Sequence, residues 1–195
     1  MAVALILDFP EGTMEQYHQV VEKMDLNGEL AEGGVFHAAG IYEGNLRVVD
    51  VWDDVEKFER FRDEKIIPFT QEVGVNPPSV RTVAVAERKP GSGGEPKFLQ
   101  VVRLPGIDED SFQAADEKIL GSDHKPPEAV TFHVNGPDDG GDRCVIDAWE
   151  SKEARDRFFE ERVKPAMADA PLSGEPVMED LEGQATLRER ASTTA

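Results

Sequence analysis

The chain has a single cysteine, Cys144, among its 195 residues. No intramolecular disulfide can form, which excludes a small disulfide-stapled scaffold. Cys144 lies in an apolar, strand-like run and reads as a buried inert thiol rather than a nucleophile. Long hydrophobic runs are also missing, and none approaches the roughly 20 residues of a membrane-spanning helix. The opening stretch Met1 to Asp8 lacks a basic n-region and its apolar run is too short for a signal peptide, so the expectation is a cytoplasmic protein. Positive charge is scarce, with 21 Lys and Arg against 40 Asp and Glu and a net charge of −19. That sign disfavours nucleic-acid phosphates and anionic membranes as partners, and it reads as an acidic, solvated surface. There is no HxxxH, CxxC or paired-acid spacing, so no dedicated metal site is expected. GxGxxG, GxSxG and Walker patterns are absent. Gly91-Ser-Gly-Gly94 is a linker and not a phosphate loop, because no strand feeds it and no helix follows directly.

What the sequence does contain is a repeat. Apolar residues make up 39%, ordinary for a globular protein, and the length suits one large domain or two small ones. Laid on itself, the chain matches over about 90 residues, the length of one small domain. Phe36-His37 through Trp52 recurs as Phe132-His133 through Trp149, and Gly44-Asn-Leu-Arg-Val-Val-Asp-Val-Trp52 matches Gly141-Asp-Arg-Cys-Val-Ile-Asp-Ala-Trp149. Downstream, Glu56, Arg60, Phe61, Glu64 and Pro68 fall on Glu153, Arg157, Phe158, Glu161 and Pro165. Upstream, Phe9-Pro10 falls on Leu104-Pro105 and Tyr17 on Phe112.

Each copy reads as βαββαβ, the split βαβ order of a ferredoxin-like unit. Ala2 to Phe9 is an apolar run of strand length. Thr13-Met-Glu-Gln16 opens a helix with a capping box, and Met14, Tyr17, Val21 and Met24 give that helix an apolar stripe. Gly34 to Ile41 and Leu46 to Trp52 flank a turn at Glu43-Gly44. Asp53 or Asp54 caps a second helix, which Pro68 should kink or end, as Pro165 should in the second copy. Val80 to Ala86 closes the first unit as its fourth strand. The predicted organisation is a first domain at 1–88, a linker at 89–96, a second domain at 97–188 and a flexible tail at 189–195. Helices cover one face of each four-stranded sheet, and the bare face needs a second sheet. The expectation is therefore an α+β protein whose two ferredoxin-like domains form one intramolecular α/β barrel, a monomer with an internal pseudo-dimer that could oligomerise further.

The hairpin register points to candidate chemistry. A turn centred between Glu43 and Gly44 places residues whose numbers sum to 87 opposite each other, so His37 faces Asp50. A turn one residue longer, Asp138 to Gly141, lets His133 face Asp147 in the same way. Alternation puts Val48, Asp50 and Trp52 on one face with His37, and Phe36, Ala38, Val49 and Val51 on the other. The all-apolar set is expected beneath the helices, which turns the polar face toward the second sheet. A histidine oriented by a carboxylate is a usable general base, and Trp52 or Trp149 could stack on an aromatic ligand. The same pair also reads as a satisfied polar contact that pins the hairpin register. Tyr17 is a core aromatic or, through its hydroxyl, a group available in one copy only, since Phe112 lacks it. His18 and His124 have no counterparts in the other copy.

The Phe-His-x-x-Gly strand, the strand Val48 to Trp52 and the helix Glu56-Lys-Phe-Glu-Arg-Phe61 leading to Pro68 resemble dimeric α/β-barrel proteins, specifically antibiotic biosynthesis monooxygenase-like members. The resemblance covers nearly the whole chain, twice. It implies a range of activities: cofactor-independent oxygenation of polyketide phenols, polyketide cyclisation, haem degradation, or a stress-response role. Oxygenase and cyclase members line an apolar pocket with His, Tyr, Trp and Asn; His37, Trp52 and Tyr17 fit such a role here, with His133 and Trp149 in the second copy. Haem-degrading members need a helix-borne histidine, and His18 is on a helix, but no other residue supports haem. The expectation is an enzyme without metal, flavin or other cofactor, acting on an apolar or aromatic small molecule with His37 as base and Asp50 as its orienter. The alternative is a non-catalytic ligand-binding or stress-response protein. An enzyme needs a cavity of roughly 300 Å³ or more within reach of His37 or His133.

Overall fold

A computed structural model describes residues 1–91, 93–121, 125–168 and 170–189. His124 and positions 190–195 of the expected tail lie outside the described residues. The chain divides into two units, Met1–Ala84 together with the stretch from Leu181 onward, and Val85–Asp180.

The first unit contains β1 (Val3–Phe9), α1 (Met14–Met24), β2 (Gly34–Tyr42), β3 (Asn45–Trp52), α2 (Val55–Phe61), α3 (Ile67–Val73) and β4 (Ser79–Ala84). The second contains β5 (Glu87–Pro90), β6 (Phe98–Leu104), α4 (Glu109–Leu120), β7 (Val130–Pro137), β8 (Arg143–Trp149), α5 (Lys152–Phe158), α6 (Lys164–Met167) and β9 (Val177–Asp180). The last strand, β10 (Glu182–Glu189), belongs to the first unit. The result is two antiparallel sheets, in the orders β10-β2-β3-β1-β4 and β5-β7-β8-β6-β9. Within each, the βαββαβ series accounts for four strands. No described helix is long and apolar enough to cross a membrane.

Each sheet has a fifth strand that the sequence reading did not foresee. β5 includes Lys89 and Pro90, which were expected to be linker, and it pairs with β7. β10, expected to end the second unit, pairs with β2 of the first. The reason is a backbone one. β2 and β7 would otherwise leave a row of unpaired N–H and C=O groups along a sheet edge, and the added strands satisfy them.

Local signals behave as the residues dictate. The Thr13 hydroxyl accepts from the Gln16 amide at 3.2 Å and the Gln16 side-chain oxygen accepts from the Thr13 amide at 3.1 Å, closing the capping box. Asp54, rather than Asp53, caps α2 by accepting from the Glu56 amide at 2.8 Å. Glu43 and Gly44 both adopt positive φ, 49° and 80°, as a two-residue hairpin turn of the primed type requires. Of the two outcomes expected at Pro68, a kink or an end, the helix does not end there. Arg62–Ile66 is π-helical and the helix runs on through α3 to Val73. The second unit repeats the arrangement, with π-helical Phe159–Val163 before Pro165. The wider turn re-spaces the backbone ladder just where proline contributes no N–H.

The face assignment is reversed from the expectation. Val48 and Trp52 of β3, Ala39 of β2 and Val3, Leu5, Leu7 and Phe9 of β1 pack with Tyr17 and Val20 of α1 and Phe58 of α2, so the face carrying His37 and Asp50 lies beneath the helices. The opposite face, with Ala4, Ile6, Phe36, Ala38, Val49 and Val51, is at most 1% exposed. Burial follows period 2 only when one face is wet. Here both are covered: His37 and Asp50 lie on the helical side with Tyr17 as partner, and Arg47 is buried on the opposite face against Asp8.

Candidate functional site

In the first unit three elements converge. β2 carries His37, β3 carries Asp50 directly opposite it, and α1 brings Tyr17 over the strand pair. His37 Nδ1 lies 2.7 Å from Asp50 Oδ1 and His37 Nε2 lies 2.8 Å from the Tyr17 hydroxyl. With a neutral ring, the carboxylate holds the proton on Nδ1 and leaves Nε2 to accept from Tyr17. The two rings are stacked, 5.8 Å apart and 13° from parallel. Tyr17 is buried, and the His37 and Asp50 side chains keep 19% and 10% exposure. All three line a cavity of about 100 Å³ between sheet and helices, whose walls include Leu7, Val20, Val48, Trp52 and Phe61. Trp52 packs on Phe58 and Phe61, and its indole N–H has no acceptor among the described residues.

The second unit repeats the frame with different fittings. His133 Nδ1 is again 2.7 Å from Asp147 Oδ1. Phe112 stands where Tyr17 stands in the first unit, and His133 Nε2 instead lies 3.1 Å from the Asn135 amide nitrogen, which also donates to Glu87 at 3.2 Å. Burial opposes protonation of His133, but the Asp147 carboxylate, through charge and hydrogen bond, outweighs it and raises the pKa above the ordinary histidine value. A charged ring needs an acceptor at Nε2. Asn135 Oδ1, buried and without a partner, supplies one if the amide turns over. Nearby, Lys89 from β5 pairs with Asp116 at 3.0 Å, and Arg155 and Gln100 both donate to Asp180. The cavity here is about 110 Å³, lined by Gln100, Phe112, Asp116, His133, Asp147, Trp149 and Arg155 among others. The Trp149 indole N–H also lacks an acceptor.

The structure therefore brings His37, Asp50, Tyr17 and Trp52 together at one cavity, and His133, Asp147 and Trp149 at another. His18 is exposed on α1, its ring edge-on to Tyr17 at 5.3 Å, and it is not part of the cavity lining. Among the described residues, no group of three or more His, Cys, Asp or Glu is placed to hold a metal ion. Sequence reasoning missed Asn135, Lys89, Asp116, Gln100 and Arg155. Asn135 was within reach, since it lies two residues beyond His133 on the same strand face. Lys89 was not, because nothing local marks a strand that pairs with a distant edge.

No protein-family model matches the sequence, and no curated protein matches it. Solved structures do. One from Lactobacillus acidophilus, provisionally named a monooxygenase, aligns with a TM-score of 0.71 at 11% identity over 96% of each chain. Another from Fusobacterium nucleatum, provisionally given the same name, aligns at 0.71 and 11% identity over 97% of this chain and 94% of its own. An anthrone oxidase-like protein aligns at 0.54 and 16% identity, over 96% and 93%. The chain shares their fold. At such identities the likeness speaks for architecture and leaves the chemistry to the residues.

Proposed function

We propose that this protein is a small-molecule enzyme of specialised metabolism that oxygenates or cyclises an apolar, aromatic or polyketide-like substrate without a metal or flavin. The two units would act as the intramolecular counterpart of a dimeric α/β barrel, with His37 supplying basicity, Asp50 orienting it, and Trp52 and Tyr17 walling the pocket. His133, Asp147 and Trp149 hold the matching places in the second unit. The observation that carries the reading is the Tyr17–His37–Asp50 hydrogen-bonded chain on the wall of a mostly apolar cavity. A group of this type buried beneath helices can move a proton in a water-poor setting. The provisional names of the neighbours point the same way.

The test begins with native mass spectrometry of protein from its own host, to identify a co-purifying small molecule. His37→Ala should then lower turnover of that substrate by about 10²-fold or more while the fold survives, the size expected for a lost general base. Equal turnover by wild type and a folded His37→Ala variant would remove the base from the reading.

A second reading has an observation in its favour. Both cavities fall short of the roughly 300 Å³ of an ordinary ligand pocket. They are nearer the roughly 150 Å³ apolar cavity that takes up a benzene ring. A non-catalytic protein that binds one small ring fits that size without any opening of the helices. It predicts a co-purifying ligand that is released unchanged.

A further inference from the structure

We propose that Tyr17, rather than His37, is the group that exchanges a proton with the ligand, and that the cavity of the second unit binds without exchanging one. This rests on the small-molecule reading above and refines it. Asp50 occupies one imidazole nitrogen of His37 and the Tyr17 hydroxyl occupies the other, at 2.7 and 2.8 Å. No imidazole nitrogen remains for a ligand. Tyr17, His37 and Asp50 all line the cavity, and the ligand is placed against the phenolic oxygen of Tyr17. Tyr17 is thus the catalytic residue of the site, and His37 and Asp50 are positioning residues that act through it.

The proton balance closes without a co-reactant. As the ligand's O–H or C–H proton moves to the Tyr17 oxygen, the Tyr17 hydroxyl proton moves to His37 Nε2. The products are the ligand's conjugate base, an intact Tyr17 hydroxyl and an imidazolium held by Asp50. No electrons change hands, and the reverse transfer restores the starting state. The ligand class follows from the walls: a weak acid on a small apolar ring, meaning a phenol or an enolisable ketone. The second unit lacks the path. Phe112 has no hydroxyl, and the Asn135 amide that meets His133 Nε2 neither gives up nor takes a proton in this range.

Two measurements test this, with p-nitrophenol as probe and Tyr17→Phe and His37→Gln as variants. Phe112 shows that this fold accepts a phenyl ring at the position, so Tyr17→Phe should fold. The chain has only two tyrosines, so fluorotyrosine labelling gives two ¹⁹F signals, and Tyr17→Phe identifies one of them. The Tyr17 signal should move in His37→Gln, as the hydrogen bond from its hydroxyl to the imidazole is lost. A Tyr17 signal that His37→Gln leaves unmoved overturns the coupling. Buffered below its own titration midpoint, p-nitrophenol should develop phenolate absorption on binding the wild type. Tyr17→Phe and His37→Gln should bind it without that band. A bound probe that stays neutral in the wild type, or a band that survives Tyr17→Phe, overturns this inference and leaves the pocket standing. No binding at all defeats the pocket reading and the inference with it.

Discussion

The two cavities share a frame and differ in what lines it. In both, a hairpin sets a histidine opposite an aspartate and ends β3 or β8 on a tryptophan. Around that constant part, Leu5, Tyr17, Val21 and Phe58 of the first unit give way to Gln100, Phe112, Asp116 and Arg155 in the second. The first site is an apolar chamber with one hydrogen-bonded chain. The second is laced by ion pairs that satisfy one another, Lys89 with Asp116 and Arg155 with Asp180. The lesson is that the His–Asp pair belongs to the hairpin, and what it can do depends on what the first helix and the edge strand bring to it. Strand register carries the pair through the repeat, while the helix-borne residues are free to diverge.

The largest effect should come from the shared tryptophans. Trp52 is 3% and Trp149 2% exposed, so truncating either to alanine should cost about 3–5 kcal/mol. Trp52→Ala should be the costlier, because Trp52 packs on both Phe58 and Phe61 whereas the recorded ring partner of Trp149 is Phe158. Denaturant unfolding of the two variants checks this, and equal losses would mean that Arg155 packs as well as the phenylalanine it replaces.

Next in size is the second unit's buried pair. His133 titrates above its ordinary value, so its contribution is fully present below the ordinary histidine pKa and is lost as pH rises through the folded one. Asp147→Asn should therefore cost about 1–3 kcal/mol in mildly acid solution and less above the folded pKa. Unfolding curves at a series of pH values read this directly. A penalty that grows with pH would contradict the sign, and His133→Gln should flatten the dependence.

The smallest effect tests whether the second site's polar lacing is needed at all. Gln100 donates to Asp180 at 2.9 Å in the place held by Leu5 in the first unit. Gln100→Leu should change stability by no more than about 1 kcal/mol, since Arg155 still satisfies Asp180. Arg155→Phe alone should cost more, because it strands Asp180 with a weaker donor. A double-mutant cycle between Gln100→Leu and Arg155→Phe should show coupling of about 0.5–3 kcal/mol. Perfect additivity would show that the two donors do not share their acceptor energetically.

Much of this was legible in the residues, and each legible part is local. The capping box at Thr13, the turn at Glu43-Gly44 and the pairings His37–Asp50 and His133–Asp147 follow from spacings of a few residues and from period-2 alternation. The repeat itself is visible as collinear identity. What only the tertiary structure decided is long-range. Which sheet face the helices cover could not be read because both faces are buried, so hydropathy does not separate them. That β10 closes the first sheet and β5 the second depends on which free edge each strand meets, a backbone event without a side-chain signature. The contact between Tyr17 and His37 joins residues 20 positions apart through the packing of α1 on β2. Spacing determined the pair, and packing determined what the pair touches.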